Sequence, residues 1–135
     1  LLEKLMNIDA VAVGLGTGNT REGAHTKLKA VALDHFFSFG GFGCDHANRT
    51  ELLRIGVRRG AGKLGIPEND ARVVVIGDTP RDISAAREAG AESIAVATGG
   101  FSANELENHS PTAIFPALDA PNLLETLLGR TEALL

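Results

Sequence analysis

The chain has 135 residues, a mass of 14.1 kDa and a formal net charge of −4, with 44% hydrophobic and 22% charged residues. Those proportions exclude a disordered tail or a collagen-like repeat, and the length fits one domain with one sheet and one core. No apolar run approaches the ~18 residues of a membrane span, and the single Cys44 cannot close an internal disulfide, so the expected setting is cytoplasmic with no membrane partner. The N-terminus, Leu1 to Met6, lacks the basic region and long apolar stretch of a signal peptide. The acidic balance and the absence of Tyr and Trp argue against nucleic acid, and Arg58-Arg59 reads as a solvated helix face.

Short apolar runs alternate with amphipathic stretches along the whole chain, the pattern of βα units around a parallel sheet. Asp9 to Leu15 reads as a buried strand, followed by a helix from Thr20 to Leu33 with apolar or small positions at Ala24, Leu28, Val31 and Ala32. His35 to Phe39 reads as a second short strand. Thr50 to Leu64 is a helix carrying Leu52, Leu53, Ile55 and Val57, stopped by Gly65 and Pro67. Arg72 to Ile76 is the clearest strand: its unbroken apolar run suits burial on both faces, so it should be central or nearly so. A helix from Pro80 to Ala89 follows, with Thr79 as its cap and Gly90 past its end. Ser93 to Ala97 is the next strand, and Ser102 with Glu105 makes a capping box for a short helix. A strand from Thr112 to Phe115 and a helix from Pro121 to Leu128 complete the set.

In parallel α/β sheets, ligands bind beyond the carboxyl ends of the strands. The residues just past three of the strands stand out: Gly16-Thr17-Gly18-Asn19, a Gly-rich loop leading to Arg49, and Gly77-Asp78-Thr79-Pro80-Arg81-Asp82. They supply a hydroxyl, an amide, a cation and two carboxylates, which suits a phosphoryl group and a hard divalent metal. Two of them have local alternatives: Asp82, three residues after Thr79, could cap its helix, and Thr17 could satisfy a Gly-rich turn. Cys44-Asp45-His46 has no second ligand pair at zinc spacing. The run Gly14 to Asn19 fails as a dinucleotide fingerprint because Asn19 stands at the third glycine position, and Gly62-Lys63 fails as a phosphate loop because Leu64 follows.

These residues resemble the haloacid dehalogenase superfamily of phosphohydrolases, in particular its phosphoglycolate-phosphatase-like members, over nearly the whole chain. Leu15 to Asn19 looks like the family's second motif, and Gly77 to Asp82 with Ile83, Ala85, Ala86, Ala89 and Gly90 looks like its fourth. Ile94 to Gly99, then Glu105-Leu106, matches the usual run after it. The resemblance implies a Rossmann-like three-layer α/β/α fold with a parallel sheet, in which Thr17, Gly18 and Asn19 hold a phosphoryl group. It also implies that Asp78 binds Mg²⁺ and that Asp82 supports the metal shell. The third motif's Lys is replaced by Arg49 or Lys63. Along an unbroken helix Lys63 would stand about 21 Å from Arg49, at the wrong end of the sheet, so Arg49 is the expected stand-in.

The family's nucleophile is an Asp in a DxD pattern ending the first strand, and no DxD occurs in this chain. Asp9 and Asp34 precede their strands, and Asp45 reads as a loop residue with no strand leading into it. The chain therefore resembles the C-terminal part of the core, residues 1–135 forming a partial domain without the nucleophile strand and cap, on the order of 80 to 100 residues. In the family fold that strand lies between those ending at Thr17 and Asp78. Its loss would leave buried backbone groups unpaired, so the expectation is that an N-terminal segment or a second copy completes the sheet.

The resemblance implies a Mg²⁺-dependent phosphohydrolase of a small phosphorylated metabolite, acting through an aspartyl-phosphate on an Asp outside these residues, and inactive as the isolated fragment. The alternatives are a non-catalytic flavodoxin-like or receiver-like module holding a metal or anion, and a mutase or dehalogenase on the same scaffold.

Overall fold

Two short strands, β1 (Leu15–Thr17) and β2 (Gly40–Phe42), pair in parallel with Leu15 opposite Gly40 and Thr17 opposite Phe42. Three more, β3 (Val74–Gly77), β4 (Glu92–Val96) and β5 (Ala113–Phe115), form a second all-parallel sheet in the order β3-β4-β5. This computed structural model describes residues 1–129. The architecture is α/β with parallel strands, of Rossmann-like type, but the strands fall into two sheets where one was expected. The first sheet belongs to a compact unit spanning Leu2–Arg72, the second to a unit that begins at Val73.

In the first unit, α1 (Leu2–Met6) precedes β1, and α2 (Arg21–Lys29) joins β1 to β2. Thr20 caps α2, its hydroxyl oxygen accepting from the Gly23 N–H at 3.0 Å. The expected helix to Leu33 ends four residues early, at Lys29, and Ala32 then takes a left-handed conformation (φ 57°) that no helix accommodates. The expected strand from Asp9 is confined to its last residue and the two that follow. Apolarity alone does not make a strand: only from Leu15, whose N–H reaches the Phe39 carbonyl at 3.2 Å, does a partner backbone exist.

The expected strand over His35 to Phe39 is a correction. Asp34–Phe36 is a 3₁₀ turn, and the strand is the glycine-rich segment Gly40–Phe42. Glycine is a poor strand former, so the sequence of this segment predicts a loop. What makes it a strand is α3 (Arg49–Leu64), which packs so closely that a Cβ on Gly41 would overlap the Leu52 carbonyl. Gly56 sits against the Gly41 amide from the helix side, so small residues on both elements allow the approach. Phe42, Leu52 and Ala61 are buried at 2%, 2% and 3% exposure, the apolar return on that packing. Asn48 caps α3, and Gly65 ends it in the left-handed region at φ 68°.

In the second unit, α4 (Pro80–Glu88) joins β3 to β4, and α5 (Ala103–Glu107) joins β4 to β5. Ile83, Ala95 and Leu106 form the buried core, with Ala97 and Ile114 packed against it. The Ser102–Glu105 capping box is formed in both directions. The final helix, α6, covers Leu123–Leu127, inside the expected Pro121 to Leu128. A second correction concerns the valine-rich strand. β3 is the edge of its sheet and half-buried throughout, whereas β4, with four buried residues, is central. Uniform apolarity reports the burial a strand is suited to, and β3 pairs on one side only among the described residues.

Candidate functional site

Thr17 is the last residue of β1, and its Oγ1 accepts from the Asn19 N–H at 3.1 Å. The loop therefore turns on the threonine hydroxyl, which is the local role weighed for it in the sequence. The Asn19 carbonyl accepts from Gly43 N–H at 2.8 Å, and a Cβ on Gly43 would overlap the Gly18 carbonyl. Thr17, Gly18 and Asn19 are thus pressed backbone to backbone against the end of β2. A Cβ on Gly18 would meet nothing within 4 Å, and Lys27 Nζ donates to Asn19 Oδ1 at 3.4 Å. Arg49 is the first residue of α3, half-buried and preceded by the cap Asn48, whose N–H donates to His46 Nδ1 at 2.9 Å. Lys63 occupies the last turn of the same helix, unbroken over 16 residues, as the choice of Arg49 over Lys63 requires.

Asp45 and Arg59 were missed. A strand does lead into the Asp45 loop, namely β2, and Asp45 Oδ2 accepts from the Phe42 N–H at 3.0 Å. Arg59 grips both carboxylate oxygens, Nη1 to Oδ2 at 2.7 Å and Nη2 to Oδ1 at 2.8 Å, while Nη1 also donates to the Gly40 carbonyl at 2.8 Å. Those bonds, with the Phe42 N–H second in weight, lower the Asp45 pKa from 3.8 to about 2. The reading of Arg58-Arg59 as a solvated face holds for Arg58, which is exposed and pairs with Glu68 at 3.1 Å, and is corrected for Arg59, an ion-paired lock on β2. The only sequence signal was Asp45 itself, three residues past a segment that did not read as a strand.

In the second unit, Asp78 follows the last residue of β3 and is half-buried. A Cβ on Gly99, just past β4, would overlap Asp78 Oδ2, so the glycine makes room for the carboxylate. Asp82 Oδ2 accepts from the Thr79 N–H at 3.1 Å and from Thr79 Oγ1 at 2.9 Å, capping α4. A Cβ on Gly77 would overlap the Asp82 carboxylate, which therefore lies on the backbone of the two residues flanking Asp78. Among the described residues no group of three His, Cys, Asp or Glu side chains forms a metal cage. Mg²⁺ needs none, since one or two carboxylates with waters and substrate phosphate hold it, and the carboxylates of Asp78 and Asp82 would fit such a donor set in their chemistry. No helix among the described residues is long and apolar enough to cross a membrane.

The parallel α/β scaffold, with a threonine loop past β1 and carboxylates past β3, is of Rossmann-like type. The HAD-hydrolase-like family matches residues 48–121, more than half of the chain, and the chain belongs to that family. No curated protein matches it in sequence. Among solved structures it is similar to a Thermotoga maritima protein provisionally described as a beta-phosphoglucomutase, with a TM-score of 0.72 and 21% identity over 96% of this chain and 57% of that one. A predicted phosphatase from Clostridium acetobutylicum gives a TM-score of 0.70 and 22% identity, covering 95% and 56% of the two chains. A haloacid dehalogenase-like family hydrolase from Streptococcus pneumoniae gives 0.69 and 22%, covering 95% and 55%. The chain thus spans little more than half the length of these structures, and at such identity the likeness concerns the fold.

Proposed function

We propose that the chain carries the phosphate-holding and metal-holding loops of a Mg²⁺-dependent phosphohydrolase that acts on a small, phosphoglycolate-like phosphomonoester. The observation that carries this reading is Asp78: a carboxylate directly after a strand, given room by Gly99 and flanked by the Asp82 cap. Haloacid dehalogenase enzymes generally use Mg²⁺, and Asp78 with Asp82 would hold it. When bound, the ion would neutralise phosphoryl charge as a Lewis acid. Thr17 would donate its hydroxyl to a phosphoryl oxygen while the Gly18 and Asn19 backbone lines the same turn. Arg49 would offer its guanidinium in place of the family's Lys. The attacking carboxylate, forming an aspartyl-phosphate that water then opens, would come from a DxD strand outside these 135 residues.

The exposure of β3 supports a further strand at its unpaired edge, from an N-terminal segment or a second copy, because four consecutive apolar or small residues there remain half-buried. The test is steady-state hydrolysis of phosphoglycolate and related monoesters by the complete polypeptide, with and without Mg²⁺, for the parent and for Asp78→Ala. The expected result is Mg²⁺-dependent turnover that falls by about 10³-fold or more in the variant. Full Mg²⁺-dependent turnover by Asp78→Ala would refute the assignment, and absence of turnover in the parent would favour the binding-module reading.

A further inference from the structure

A cavity of about 420 Å³ lies wholly within the first unit, lined by Arg21 and His25 of α2, Ser38, Phe39, Gly40 and Phe42 around β2, and Arg59, Gly62 and Lys63 of α3. Its lining has no carboxylate, although the chain carries more acidic than basic residues. The basic residues come in pairs spaced i, i+4, Arg21 with His25 and Arg59 with Lys63, so each helix turns one such pair to the same space. Arg59 and Lys63 are like charges at that spacing and repel, and the ion pair of Arg59 with Asp45 offsets part of that repulsion.

The four basic groups differ in what they have left to offer. Arg59 is committed to Asp45 and the Gly40 carbonyl, so it supplies a nearly neutralised, fixed wall. The Arg21 guanidinium is held over the Phe42 ring at 5.1 Å, which positions it without using its hydrogen-bond donors. Lys63 stands beside Gly62, where a Cβ would meet nothing within 4 Å, and among the described residues neither Arg21 nor Lys63 has a carboxylate within ion-pair distance. Two available cations, an imidazole at His25 and the Ser38 hydroxyl therefore line the cavity from both helices and the segment leading into β2.

We propose that this cavity binds a small phosphate-bearing anion through Arg21 and Lys63, at a site separate from the strand-end loop of Thr17. A phosphate group takes donors from several directions at once and carries the charge needed to satisfy two cations. The cavity is in the size range of small-molecule sites and exceeds inorganic phosphate, leaving room for an organic portion beside Phe39.

The test is an amide NMR titration of the complete polypeptide with inorganic phosphate, glycerol phosphate and succinate in parallel. Saturable shifts at Gly40 and Gly62 with either phosphate probe, retained in Thr17→Ala and weakened about tenfold or more in Arg21→Gln/Lys63→Gln, are the expected result. Tighter binding of glycerol phosphate identifies a phosphorylated metabolite as the ligand, and equal binding identifies phosphate itself. If the double variant loses its folded amide dispersion, Lys63→Gln alone carries the comparison, with Lys63→Arg expected to retain binding. The proposal is overturned by absence of saturable shifts at these glycines, by an unchanged affinity in the charge-removed variant, by loss of the response in Thr17→Ala, or by succinate binding as tightly as glycerol phosphate.

Discussion

Arg59 and Asp45 meet through two parallel hydrogen bonds of 2.7 and 2.8 Å, and together they close the outer edge of β2. Arg59 donates to the Gly40 carbonyl, Asp45 accepts from the Phe42 N–H, and the Asp45 and His46 N–H groups donate to the Phe42 carbonyl at 2.9 and 3.3 Å. An open strand edge is a template for unwanted pairing, and here side chains and a turn take up those backbone groups.

The pair makes stability depend on acid. The Asp45 pKa is about 2 in the folded chain against 3.8 ordinarily, so its stabilising contribution is complete above about pH 4 and is lost as pH falls toward 2. Asp45→Asn should therefore lower Tm at pH 7 and converge on the parent near pH 2. Thermal melts across that window check this, and a constant gap between the two at every pH would contradict it.

Gly41 should not tolerate a side chain. A methyl there would overlap the Leu52 carbonyl, which is helix backbone and cannot swing aside, so Gly41→Ala should cost about 3 kcal/mol or more. Gly62→Ala is the matched control, since nothing lies within 4 Å and the position is helical; it should gain about 0.5–1 kcal/mol. Urea unfolding of both variants measures the difference.

Asp82 caps α4 whatever else it does. Asp82→Ala should lose about 1 kcal/mol, while Asp82→Asn, which keeps an acceptor for the Thr79 N–H, should lose less. Measuring Mg²⁺ affinity on the same two variants separates the roles. A cap alone predicts unchanged affinity in both, and metal support predicts weakened binding in Asp82→Asn despite its near-normal stability.

Leu106 has no exposed surface and packs with Ile83 and Ala95 in the core of the second unit. Leu106→Ala should cost about 3 kcal/mol, read as a lowered urea midpoint. A loss below about 1 kcal/mol would mean that the packing around Leu106 collapses to fill the space.

Much of the second unit was legible in order along the chain. Thr79 and Pro80 start a helix, Ser102 and Glu105 start another, and Ser93 to Ala97 is a strand within one residue, because caps and short apolar runs are local signals. The first unit was read less well. Its second strand is Gly40–Phe42, and glycine carries no local preference that would mark it. The candidate residues were found from their places after apolar runs and from the family resemblance, while Asp45 and Arg59 went unrecognised, fourteen residues apart in the chain and joined only by folding.

By itself the sequence determined the parallel α/β class, the helix starts and the placing of Thr17 and Asp78 at strand ends, since each depends on neighbours within a few residues. Tertiary structure decided which apolar run is central and which is an edge, why Gly41 must be glycine, and which carboxylate meets which guanidinium. Those outcomes depend on how closely a helix can approach a strand and on which backbone groups are left without partners, and both are properties of the packed chain.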